Sequence, residues 1–151
     1  MLKKMIFTAT FAFFMLSCGG EKKENAESAE PKAAETPKAI DPKEDKGVGP
    51  ITSLSLGEID PTLAATGEEL FKNKCTACHK IEKRFVGPAL KGITEKRTPE
   101  WIMNMILVPE KMVAENEAAK QLLAEYLSPM ANQSLTEEEA RAILEYFRTQ
   151  K

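Results

Sequence analysis

Apolar and polar residues follow several different rhythms along this chain. Met5 to Leu16 is an almost unbroken apolar run, interrupted only by threonines, with Lys3 and Lys4 ahead of it. At about 1.5 Å per residue it is too short to span a hydrocarbon core of about 30 Å as a helix. It predicts the h-region of a secretory signal, with the two lysines as its n-region. From Gly19 to about Ala65 large apolar residues become sparse. Glu, Lys and Ala dominate there, with Pro31, Pro37, Pro42, Pro50 and Pro61 spread among them. Such a segment cannot bury enough apolar surface to offset its ordering entropy, so a disordered tether is expected. Its more apolar patch, Ile51 to Ile59, is the part able to dock on the folded domain as an arm.

From Thr66 onward the period becomes helical. Thr66-Gly67-Glu68-Glu69 fits a capping box, and Gly67, Leu70, Phe71 and Lys74 share a face of the helix it would open. Arg84 to Ile93 reads R-F-V-G-P-A-L-K-G-I, a turn between apolar positions. Thr98-Pro99 is a second helix start, with Trp101, Ile102, Met105 and Ile106 facing inward, and Pro109 ends this helix or opens the next. Asn116 to Leu127 predicts a helix with Ala119, Leu122, Leu123 and Tyr126 on its apolar side, stopped by Pro129. After the loop Ser128 to Gln133, Thr136-Glu137-Glu138-Glu139 is another capping box. It opens a last helix striped by Ala140, Ile143, Leu144 and Phe147. The expected architecture is all-α: a signal at 1–17, a tether at 18–65 and a small helical domain at 66–151.

Composition narrows the function classes. Net charge is −2, with 21 basic and 23 acidic side chains. That balance argues against nucleic acid, which demands a basic face. The domain from Thr66 carries thirteen basic and thirteen acidic side chains, so no strongly charged docking face is expected. Contact with partners is then mainly apolar and transient.

The chemistry concentrates in Cys75-Thr76-Ala77-Cys78-His79, the C-x-x-C-H motif for covalent attachment of a c-type haem. Two thiols about one helical turn apart can each add across a vinyl group of one porphyrin. His79, the only histidine in the chain, then offers an imidazole nitrogen to the iron. Two other readings use the same residues. A thioredoxin-like redox pair needs a βαβ setting, which the surrounding pattern lacks. A structural zinc needs four ligands, and only Cys18 remains beyond the motif.

Cys18 has its own context. Leu16-Ser17-Cys18-Gly19 resembles a bacterial lipobox, which implies cleavage before Cys18 and diacylglycerol addition to its thiol. Met15 stands where that motif usually has leucine. An ordinary cleaved signal with an incidental cysteine is the alternative. Lipidation would leave no free thiol, because the other two cysteines would be thioether-bonded.

With C-x-x-C-H followed by Gly87-Pro88-Ala89-Leu90 and by Pro129-Met130 just before the last helix, residues 66–151 resemble a class I cytochrome c. The resemblance implies one covalent haem c and an electron carrier rather than an enzyme. It implies that the Pro88 carbonyl accepts the Nδ1 hydrogen of His79. It makes Met130 the second axial ligand, with Met112 as rival because it follows Pro109 in a weakly patterned stretch. It also implies that the first and last helices cross at Gly67, Phe71 and Tyr146. Trp101 is a core or haem-wall aromatic, and a hydrogen bond from its indole to a haem propionate is the sharper reading. Arg84 and Arg97 are candidates for the propionates by charge alone. The expected partners are membrane-bound or periplasmic redox proteins, met by a monomer held to a lipid bilayer through Cys18. Gly19 after Cys18 points to the outer membrane of a bacterial envelope. The rival function is a haem-based ligand sensor or small haem enzyme with an exchangeable sixth site.

Overall fold

A computed structural model describes residues 40–151. The expected signal at 1–17, Cys18 and the first part of the tether lie outside the described residues. Six helices follow in order: α1 (Pro61–Lys74), α2 (Ile93–Lys96), α3 (Pro99–Leu107), α4 (Pro109–Glu115), α5 (Glu117–Tyr126) and α6 (Glu137–Thr149). Among the described residues the only extended pairing is an isolated bridge between Lys80 and Ala89.

Three helix starts follow their capping residues. Thr98 accepts the Trp101 N–H and Pro99 takes the first position of α3. Asn116 accepts the Ala119 N–H and opens α5. Thr136 and Glu139 form a reciprocal capping box at α6. The Thr66 capping box does not form. Asp60 caps α1 instead, accepting from the Thr62 and Leu63 N–H groups, and Pro61 takes the first helical position. Thr66 lies inside the helix, its hydroxyl donating to the Thr62 carbonyl at 3.2 Å. An Asp-Pro pair suits a helix start better than Thr-Gly, because Pro61 presets φ and gives up an N–H that would be unpaired there anyway.

The core forms where α1 crosses α6, with α3 packed beside them. Gly67 is the crossing point: a Cβ there would overlap the Ala142 carbonyl oxygen and lie 2.9 Å from Ile143 N. Phe71 then meets Tyr146 at 5.6 Å and Phe147, edge to face, at 5.7 Å between ring centroids. The expected crossing at Gly67, Phe71 and Tyr146 is therefore present, because only hydrogen lets the two backbones approach so closely.

The expected tether boundary at residue 65 falls inside α1 and is corrected by the structure. Residues 45–59 form a strap over α3, α4 and α6. Ile51 and Asp45 are buried, and Val48, Leu54 and Leu56 pack against the core. Polar side chains of the helical domain hold the strap's backbone. Asn104 accepts the Ile51 N–H at 3.0 Å and donates to the carbonyls of Ile51 and Lys46 at 2.8 and 3.0 Å. Glu100 accepts the Leu54 N–H, Arg148 donates to the Gly57 carbonyl, and Glu145 accepts the Asp60 N–H. The expected docking of the 51–59 patch is thus present, and it extends back to Asp45. The low apolar content misleads because most of the grip is on main-chain groups, which every residue carries.

Candidate functional site

α1 delivers the C-x-x-C-H motif. Its C-cap is Cys75, whose N–H still reaches the Phe71 carbonyl at 2.9 Å. The chain then tightens: Cys78 and His79 both donate their N–H groups to the Cys75 carbonyl, at 3.1 and 2.9 Å. The following loop folds back over the motif. Gly87 donates to the Cys78 carbonyl at 2.9 Å, and Leu90 donates to Lys80 and Ile81. This return brings Pro88 under the imidazole, with His79 Nδ1 3.3 Å from the Pro88 carbonyl oxygen. A carbonyl only accepts, so the contact places the hydrogen on Nδ1 and leaves the Nε2 lone pair free. Gly87 permits the approach, since a Cβ there would lie 2.5 Å from His79 Cε1.

The motif opens onto a cavity of about 490 Å³. Cys75, Cys78 and His79 line it, and so does Met130 from the loop between α5 and α6. Most of the remaining wall is apolar, including Leu90, Ile102, Ile106, Leu122 and Phe147. Met112 is absent from this wall. It is fully buried elsewhere, where its Sδ accepts the Val48 N–H of the strap at 3.0 Å.

Electrostatics separates the readings of the two thiols. Burial pushes the Cys75 thiol up to about 11, and the neighbouring Cys78 adds to this. A redox-active dithiol works through a thiol whose pKa is depressed, so a thioredoxin-like pair is disfavoured. Burial lowers the His79 pKa, against the opposing effect of the Pro88 carbonyl, and keeps the imidazole neutral as a metal ligand requires. Among the described residues no three Cys, His, Asp or Glu side chains converge on one point.

The sequence candidates divide. Pro88, Trp101, Arg84 and Arg97 all line the cavity. The Trp101 indole N–H, the candidate donor to a propionate, donates to Asn116 Oδ1 at 3.2 Å. Arg84 is paired with Glu125 at 3.1 Å and lies 4.1 Å over the Tyr126 ring. Arg97 stacks 4.6 Å over Trp101 and has no carboxylate partner among the described residues. Lys96 also lines the cavity and was not anticipated. It lies on α2, a four-residue helix with no side-chain cap or long apolar stripe to announce it.

The donor set fits a haem. The cavity offers two thiols, one neutral imidazole with a free nitrogen, one thioether, a mostly apolar wall and an arginine without a carboxylate partner among the described residues for a propionate. The family model described as cytochrome c matches residues 64–151. Cytochrome c-551 of Stutzerimonas stutzeri is 34% identical over 110 residues, covering 64% of this chain and 90% of the relative. Cytochrome c-551 of Ectopseudomonas mendocina is 34% identical over 98 residues, 58% of this chain and all of the relative. Among solved structures, cytochrome c from Rhodothermus marinus superposes with a TM-score of 0.66 at 50% identity, covering 67% of this chain and 88% of that one. The motif, the cavity it opens onto and these relatives agree: the chain belongs to the cytochrome c family, as a class I electron carrier with one covalently bound haem c.

Proposed function

We propose that Cys75 and Cys78 hold the haem through thioethers and that His79 Nε2 and Met130 Sδ are its axial ligands. When bound, the haem supplies one-electron chemistry at iron, and a thioether ligand favours a high potential. The chain's own residues hold that site rigid. Pro88 keeps the proton on His79 Nδ1 and so fixes the ring. Met130 sits in a loop bounded by α5 and by the capped start of α6. The observation that carries the assignment is the division of the two methionines. Met130 lines the cavity, while Met112 is buried outside it and already accepts a backbone hydrogen bond.

An apolar contact with redox partners has support at the cavity rim. Val86 lines the cavity and is exposed, as is its neighbour Phe85. The Arg84–Glu125 pair ties this loop to the end of α5, where Leu127 is 85% exposed. These residues suit a transient docking face for proteins of the bacterial envelope. We further propose that Cys18 carries the lipid that holds the carrier at a membrane, the outer membrane of a periplasmic space fitting Gly19. Cys18→Ala should move the protein from membrane to soluble fractions.

The axial assignment is tested on haem-loaded protein by Met130→Ala and Met112→Leu. Met130→Ala should abolish the thioether-to-iron charge-transfer band, lower the potential and admit carbon monoxide to the ferrous iron. Met112→Leu should retain the band. The reverse pattern would exchange the two methionines, and carbon monoxide binding by the unaltered ferrous protein would replace the carrier with a sensor or enzyme.

A further inference from the structure

The strap does more than cover the core. Asp45 is 7% exposed and reaches the starts of α3, which carries Trp101, and of α5. Its carbonyl accepts the hydroxyl of Thr98, the N-cap of α3, at 2.5 Å. Its two carboxylate oxygens each lie 2.9 Å from Nδ2 of Asn116, the N-cap of α5. Gly47 N–H, at 2.8 Å, steadies one of those oxygens. On its other side Asn116 Oδ1 accepts from the Trp101 indole at 3.2 Å and from Ala119 N–H at 3.0 Å.

An amide side chain has an accepting end and a donating end of nearly the same shape. Three groups set its orientation here: the Trp101 indole and the Ala119 N–H need the oxygen, and the Asp45 carboxylate can face only the NH₂ end. With Asp45 in place, Oδ1 must point at the indole. Without it, the Asn116 NH₂ loses its partner and the amide is held from the Oδ1 side alone, so its grip on the indole loosens.

We propose that Asp45 is a positioning residue of the redox site: through Asn116 it holds the Trp101 indole in the cavity wall, making the strap a working part of the haem pocket. This rests on the reading of the cavity as the haem site. A fixed negative charge stabilises the ferric state more than the ferrous state, so replacing the Asp45 carboxylate by a neutral side chain raises the potential.

Trp101 is the only tryptophan, so the ¹⁵N-labelled ferrous protein shows one indole N–H resonance. Asp45→Ala should shift that resonance, speed its solvent exchange at least about tenfold and raise the midpoint potential. Asp45→Asn keeps one acceptor and should give a smaller acceleration with the potential still raised. Ile51→Ala loosens the strap at another anchor and should leave both readouts near wild type. Wild-type indole exchange in Asp45→Asn overturns the proposal even if the alanine variant fails to fold, and so does an Ile51→Ala effect as large as that of Asp45→Ala. A full-length protein without haem absorbance would instead overturn the reading of the cavity.

Discussion

Replacing Asn104 with alanine removes one fully buried side chain and three hydrogen bonds at once. Its amide serves the Ile51 N–H at 3.0 Å, the Ile51 carbonyl at 2.8 Å and the Lys46 carbonyl at 3.0 Å. At about 1 kcal/mol net for each bond, the loss is about 3 kcal/mol if the strap stays in place. The strap has a second course: it can lift away so that its backbone regains water. That course gives up the burial of Ile51, itself worth about 1.5–3 kcal/mol, along with the neighbouring contacts. Both routes therefore cost about 3 kcal/mol, equivalent to about 10–20 °C in Tm for a domain of this size. Guanidinium unfolding of the haem-loaded variant, followed by far-ultraviolet circular dichroism, reads the stability directly. Limited proteolysis distinguishes the routes, since a lifted strap becomes cleavable between residues 45 and 59. A loss below about 1 kcal/mol with wild-type protease resistance would refute the account of how the strap is held.

Two further outcomes follow from the α1–α6 crossing and its flank. Gly67→Val should destabilise the protein by about 1–3 kcal/mol, since its Cβ meets the Ala142 carbonyl and the helices must part; an unchanged Tm in a thermal melt would show the crossing to be slack. Glu145 is fully buried, and burial acts to raise its pKa, but the Asp60 N–H, Arg141 and Arg148 outweigh this and hold it below the usual glutamate range. A depressed carboxylate pKa stabilises the fold at pH above the unfolded value of about 4.3, and this is lost as pH falls through the lower folded value. Stability should therefore fall on acidification below about pH 4.3, and Glu145→Gln should flatten that limb; equal acid limbs in the two proteins would remove Glu145 from the account.

Local signals in this chain were legible because they act over a few residues. The C-x-x-C-H spacing, the caps at Thr98 and Thr136, and the apolar stripe of α6 each carry their meaning within one or two turns. The Thr66 cap failed because two local signals competed, and Asp60-Pro61 was the stronger. The short α2 at the cavity carried too little pattern to be read at all.

By itself the amino-acid sequence determined an all-α domain, a haem-attachment motif with a single histidine, and two methionines able to complete the site. Only the tertiary structure decided that Met112 is spent on the strap, that the Trp101 indole belongs to Asn116, and that residues 45–59 are part of the fold. The reason is the reach of the forces involved. Periodicity and capping join neighbours in the chain. The strap is held by side chains gripping main-chain groups 46 to 91 residues away, and backbone N–H and C=O groups look alike in every sequence.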